Sequence, residues 1–133
     1  MTAKRDHLLF ILDLDAMTFV QSSTVTGAFN SQPDQVARIL DNNGILYFCE
    51  DGSEHAGVHG RDSNGKFYTI LQAANSAMSG ETTGLAFSPD NKSMYVSYQS
   101  PGKIVEVRRT DGCPFNGRRL DIKYHEDDTN FIR

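Results

Sequence analysis

The feature that most constrains this chain is the run Gly84-Leu85-Ala86-Phe87-Ser88-Pro89-Asp90-Asn91-Lys92-Ser93-Met94-Tyr95-Val96-Ser97-Tyr98. Leu85 and Phe87 alternate with smaller residues, and Met94, Val96 and Tyr98 alternate with Tyr95 and Ser97. A period of two places alternate side chains on opposite faces of an extended strand. Between the halves, Pro89 presets φ for a turn, and Asp90-Asn91 tolerates the left-handed geometry that a tight reversal needs. Periodicity, residue type and turn chemistry therefore agree on two short strands joined by a turn.

The rest of the chain follows the same grammar. Its 133 residues allow one domain with a real core. Val, Ile, Tyr, Phe and Thr occur in short runs bounded by Gly, Asn, Asp and Ser, which favours an all-β fold. Strands are expected over residues 7–14, 18–24, 45–49, 56–61, 66–71, 103–109 and 120–124. The 56–61 strand reads as weak because Gly57 and Gly60 interrupt it. Residues 27–35 read as a loop. Val36, Ile39 and Leu40 have helical spacing, with Asn30 or Ser31 as a cap, but an inner strand entered after Pro33-Asp34 is the favoured reading.

That preference comes from an internal repeat. Leu46-Tyr47-Phe48 and Met94-Tyr95-Val96 lie 48 residues apart, and the preceding turns fall in register. A period of roughly 40–50 residues is that of four-stranded propeller blades. The chain is thus expected to be a partial β-propeller of about two and a half blades: a half blade over 1–29, blades over 30–72 and 80–125, and a loose tail over 126–133. So few blades cannot close a ring that needs about four. The chain would then be a piece of a longer propeller, a ring built from several copies through its open strand edges, or an open β-sheet domain.

Charge and motifs narrow the functions. Thirteen basic against 17 acidic side chains give a net charge of −4 with no basic stripe, so nucleic acid is not an expected partner. Lys4-Arg5 before Leu8-Leu9-Phe10-Ile11-Leu12 superficially looks like a signal peptide, but Asp13 and Asp15 cut the apolar run short. No stretch is long enough for a membrane-spanning helix. Cys49 and Cys113 read as free thiols, one of them buried in a strand.

The candidate site residues are acids. Asp34, Glu50 and Glu81 stand at strand ends or at loops entering inner strands, and propeller geometry gathers such ends around an axis. Oxygen ligands from successive blades suit Ca²⁺, which takes six to eight oxygens in flexible geometry. The four histidines show no metal-ligand spacing, and no nucleophile elbow or phosphate-binding glycine loop occurs. His59 and Arg61 could face a channel and bind phosphate, although a surface position is the favoured reading.

The Phe87-Ser88-Pro89-Asp90 turn followed by Gln99-Ser100-Pro101-Gly102 resembles the blades of the PhoX-type alkaline phosphatase family. Lactonase-type propellers share only the first half of that motif. The resemblance implies a metal-dependent phosphoric monoester hydrolase acting on phosphate esters or other small molecules, with calcium and iron held by carboxylates and a cysteine. Gln32-Pro33-Asp34 is similar to a degraded Arg-Pro-Glu step that supplies a metal-binding acid in the family. Asp for Glu shortens the ligand, and Gln for Arg removes a bidentate phosphate contact. Cys49-Glu50 is similar to a Cys-Glu pair at the family's iron, in poorly matching surroundings. Family members are usually exported. The competing functions are a non-catalytic propeller that binds a partner and a lactonase-like hydrolase.

Overall fold

The computed structural model describes residues 1–25, 32–39, 44–52, 56–74 and 80–115. They form ten strands, and no α-helix occurs among the described residues. The first sheet is β1 (Thr2–Ala3), β2 (Leu8–Asp13) and β3 (Thr18–Ser23), with a single 3₁₀ turn, Lys4–Asp6, between β1 and β2. The second is β4 (Gln32–Arg38), β5 (Leu46–Asp51), β6 (Gly57–Arg61) and β7 (Phe67–Gln72). The third is β8 (Thr82–Phe87), β9 (Ser93–Tyr98) and β10 (Lys103–Arg108). Each sheet is an antiparallel meander whose strands lie in chain order.

The hairpin behaves as its sequence predicts. Asn91 takes a left-handed φ of 57°. Asp90 Oδ1 accepts hydrogen bonds from the Ser88 hydroxyl at 2.6 Å and the Lys92 N–H at 3.1 Å, which fixes the turn. Met94, Val96 and Tyr98 are buried on one face of β9, as their alternation requires. The strand reading of the segment after Pro33-Asp34 also holds, since β4 pairs with β5 through Val36, Ala37 and Arg38.

Several expectations need correction. The loop expected over 27–35 gives way at Gln32, and both Pro33 and Asp34 lie inside β4. Proline is tolerated there because β4 is an outer member of its sheet and bulges beside it. The chain's start, read as two strands, also contributes β1, which pairs with β2 and lies against β4. The supposedly weak strand β6 is buried along its whole length. Its glycines mark close approach, because a Cβ on Gly57 would sit 2.1 Å from the Leu71 carbonyl oxygen. The outer strand expected at 120–124 and the tail lie outside the described residues, as do Asp41 to Asn43 of the turn before β5.

The sheets pack in series, with β4 touching the first sheet through β1 and β2, and β8 lying against β4 and β5. Alternation along β5 serves both neighbours. Tyr47 and Cys49 join Val58, Leu85, Met94, Val96 and Tyr98 in the larger core, between the second and third sheets. Leu46 and Phe48 join Leu9, Ile11 and Phe67 on the other face, against the first sheet.

Candidate functional site

The first and third sheets each bring one residue to the second sheet's β4–β5 edge. Lys4 follows β1, Asp34 lies in β4, Asp51 ends β5, and Glu81 immediately precedes β8. Because β1 and β8 both lie against β4, these four side chains converge. The Lys4 Nζ is 2.7 Å from Asp51 Oδ2, 3.6 Å from Glu81 Oε1 and 3.8 Å from Asp34 Oδ1. Three carboxylates from two sheets thus surround one ammonium.

A local irregularity aims Asp34 into this group. Between Pro33 and Val36 the β4 ladder slips, so Asp34 and Gln35 together oppose one residue of β5. Such a bulge bends a strand and redirects its side chains. β8 slips likewise between Thr83 and Ala86, and there the bulge opens with Gly84 at φ 61°. The two bulges are tied together, since the Leu85 N–H donates to Gln35 Oε1 at 3.1 Å.

The charges shift one another. The Lys4 ammonium is held above its ordinary pKa chiefly by its hydrogen bond to Asp51, while partial burial opposes that rise. The Glu81 carboxyl is pushed up by burial first, then by its hydrogen bond with Asp34 and the negative charge of Asp51; Lys4 pulls it back. Glu81 therefore holds a proton more readily than a free glutamate, and a cation amid the acids opposes this.

Of the acids read from the sequence, Asp34 and Glu81 meet here and Glu50 does not. Glu50 points from β5 toward the first sheet, where it is buried with Oε2 3.1 Å from His59 Nε2. His59 Nδ1 is 3.3 Å from Thr69 Oγ1. The other carboxylate oxygen, Oε1, has no hydrogen-bond partner among the described residues. Glu50 nonetheless reaches the acid group through its backbone. Thr82, next to Glu81, accepts from the Glu50 N–H at 3.0 Å, and its hydroxyl is within donating distance of two carbonyls, Gly57 at 2.7 Å and Glu50 at 2.9 Å.

Cys49 is a buried free thiol in the larger core, with its pKa pushed up to about 12 mainly by burial. Neighbours in a strand point to opposite faces, so Cys49 and Glu50 face away from each other and do not fit one iron ion. His59 and Arg61, expected at the surface, are buried, because β6 is a central strand. Sequence reasoning missed Lys4 and Asp51. Asp51 was legible in the alternation, two residues after Cys49, but the continuous apolar run 45–49 hides which face is which. Nothing local marks Lys4, which becomes important only when β1 lies on β4.

Among the described residues, no group of three His, Cys, Asp or Glu side chains forms a ready-made metal cage. The family model described as alkaline phosphatase PhoX matches residues 4–102, about three quarters of the chain. No curated protein and no solved structure gives a match.

Proposed function

This chain belongs to the PhoX alkaline phosphatase family, and on that premise we propose that it is a phosphoric monoester hydrolase domain of partial β-propeller build. Its ligand-handling end is the acid group around Lys4. One observation carries the reading: acids remote in sequence converge where the first strands of three sheets lie side by side.

The family's metal would be held by Asp34, Asp51 and Glu81, with Glu50 behind them. Their donors are carboxylate oxygens, which suit Ca²⁺. When bound, such an ion supplies charge neutralisation to a phosphate and acidifies an attacking water. The chain's own residues do the rest. Lys4 balances the charge of the three acids, and an ion held there would take over that role in place of its ammonium. The bulge of β4 aims Asp34, while Thr82 fixes the backbone beside Glu81 to that of Glu50. Glu50, bonded to His59 on the far face, holds the end of β5 from which Asp51 projects. No step is assigned to iron, because Cys49 and Glu50 diverge.

The test is a Ca²⁺ titration of the folded chain and of Lys4→Met, with p-nitrophenyl phosphate hydrolysis followed with and without Ca²⁺ and iron. Lys4→Met should bind Ca²⁺ more tightly, by about tenfold or more, since removing the resident cation removes its competitor. Absence of both binding and turnover in folded protein sinks the enzymatic reading. A non-catalytic, partner-binding propeller then takes its place. That alternative draws support from the apolar side chains exposed on the first sheet, among them Leu12 and Phe19, and from Gln32 in place of the family's arginine.

A further inference from the structure

A cleft of about 650 Å³ opens between the first and second sheets. Its volume falls within the range of small-molecule pockets. Ile11 and Val20 line it from the first sheet and Leu46 from the second, joined by Arg38 and Arg61. It lies away from the acid group. Arg38 ends β4, four residues beyond Asp34, or about 13 Å along an extended strand. Leu46 begins β5, whereas Asp51 ends it.

The two arginines are unusual in their partners. Arg61 is only 8% exposed. Its Nε donates to Ser22 Oγ at 2.7 Å, and its Nη1 to the Asp62 carbonyl at 2.9 Å. Both acceptors are neutral, and no carboxylate oxygen lies within ion-pair distance of it among the described residues. The nearby Asp62 carboxylate is engaged instead by the Tyr68 hydroxyl and by the Asn64 and Lys66 N–H groups. The Arg38 side chain makes no hydrogen bond or ion pair with the described residues. Burial pulls the Arg61 pKa down, the signature of a charge removed from water without full compensation. A buried cation without a charged partner is costly, and an anion reaching it would lower that cost.

We propose that this cleft binds a small organic phosphate or phosphonate carrying an apolar body. Arg61 and Arg38 hold the head, and Ile11, Val20 and Leu46 hold the body. A guanidinium fork matches phosphoryl oxygens in pairs, and two guanidinium groups match a dianion better than a singly charged carboxylate. The apolar wall excludes a bare ion as the preferred occupant, since inorganic phosphate leaves that wall uncovered. The inference stands on the cleft alone and does not need the acid group to bind metal or the chain to turn over substrate.

The experiment is a titration of the full chain with phenylphosphonate, which carries both parts and is not a phosphate ester, in metal-free buffer. It is read by NMR shifts of backbone amides and arginine side chains. Saturable shifts are expected at Arg38, Arg61, Ile11 and Asn64. Inorganic phosphate should bind at least about tenfold more weakly, because it buries no ring. Arg38→Gln, at an exposed position, should weaken phenylphosphonate about tenfold while leaving the urea midpoint in place. Arg61→Lys keeps a charge at the buried position and should also weaken binding, through loss of the fork. Lack of saturation overturns the proposal, as does equal affinity for inorganic phosphate, unchanged affinity in Arg38→Gln, or shifts confined to Asp34, Asp51 and Glu81.

Discussion

Where the second sheet meets the third, the contact is apolar: Tyr47, Cys49, Val58, Leu85, Met94, Val96 and Tyr98 fill it, and Tyr47 and Phe87 stack edge-on at 4.9 Å. Where the second sheet meets the first, Leu9, Phe48 and Phe67 share the space with Glu50, His59, Arg61, Ser22 and Thr24. The same strand serves both contacts, odd residues of β5 facing one way and even residues the other. The polar contact is also incompletely satisfied, since Glu50 Oε1 and Thr24 Oγ1 are buried without hydrogen-bond partners among the described residues. Each such atom costs on the order of 1–3 kcal/mol. The apolar contact is therefore where stability is concentrated, and the polar one is where groups are positioned.

The largest test of that division is Met94→Ala. Met94 is fully buried in the apolar contact, and its truncation should lose about 3 kcal/mol in urea unfolding. A loss under about 1 kcal/mol would mean that this contact relaxes freely and does not anchor the fold. Next comes Glu50→Ala, which strips His59 Nε2 of its carboxylate and should cost about 2 kcal/mol. Glu50→Gln keeps an acceptor for His59 in the same volume, so it should lose no more than half as much. If the two variants are equally unstable, charge and not the hydrogen bond holds the polar contact together.

The comparison also explains what the sequence could disclose. The hairpin around Pro89-Asp90 was legible because local signals decide it: alternation, a preset φ and a residue at ease with positive φ. The carboxylates were legible as candidates, and two of the three read from the sequence, Asp34 and Glu81, do converge. Glu50 was separable from Asp51 only by knowing which face of β5 turns toward which neighbour. A run such as Ile45-Leu46-Tyr47-Phe48-Cys49 is apolar on both faces and conceals that choice. The burial of His59 and Arg61 was hidden for a related reason. Gly57 and Gly60 look like breaks in a strand, yet Gly57 lets the Leu71 backbone approach, Gly60 leaves room for the Ile45 and Ile70 side chains, and the strand that holds them is central.

A smaller effect tests how the two contacts communicate. Thr82 belongs to the third sheet, but its hydroxyl is bonded to the backbone of Glu50 and Gly57 in the second. Thr82→Val preserves the shape and removes the hydroxyl, leaving the Glu50 N–H without its acceptor. The expected loss is about 1.5 kcal/mol, with the denaturant slope unchanged. A neutral result would mean that β8 is held by apolar packing alone.

The smallest effect belongs to Lys4→Met, and its direction with pH is more informative than its size. The Lys4 side chain is 37% exposed, so solvent screening keeps its contribution below about 1 kcal/mol at neutral pH. The folded protein raises the Lys4 pKa above 10.5, chiefly through Asp51. Its stabilisation is therefore fully present below pH 10.5 and is lost as pH rises through the folded value. Glu81 acts in the same direction with pH, over an acidic window. Its folded pKa is raised above 4.5, so the protonated form favours folding and stability falls as pH climbs from 4.5 through the raised value. In Lys4→Met the ammonium no longer pulls the Glu81 pKa down, so three acids face one another unopposed. The variant should lose its alkaline stability slope, and the fall on the acidic side should become larger and extend to higher pH. Urea midpoints taken across pH 4–11 measure both changes. An unchanged profile would mean that the acids relax apart when Lys4 is gone, and that the lysine follows the carboxylates without organising them.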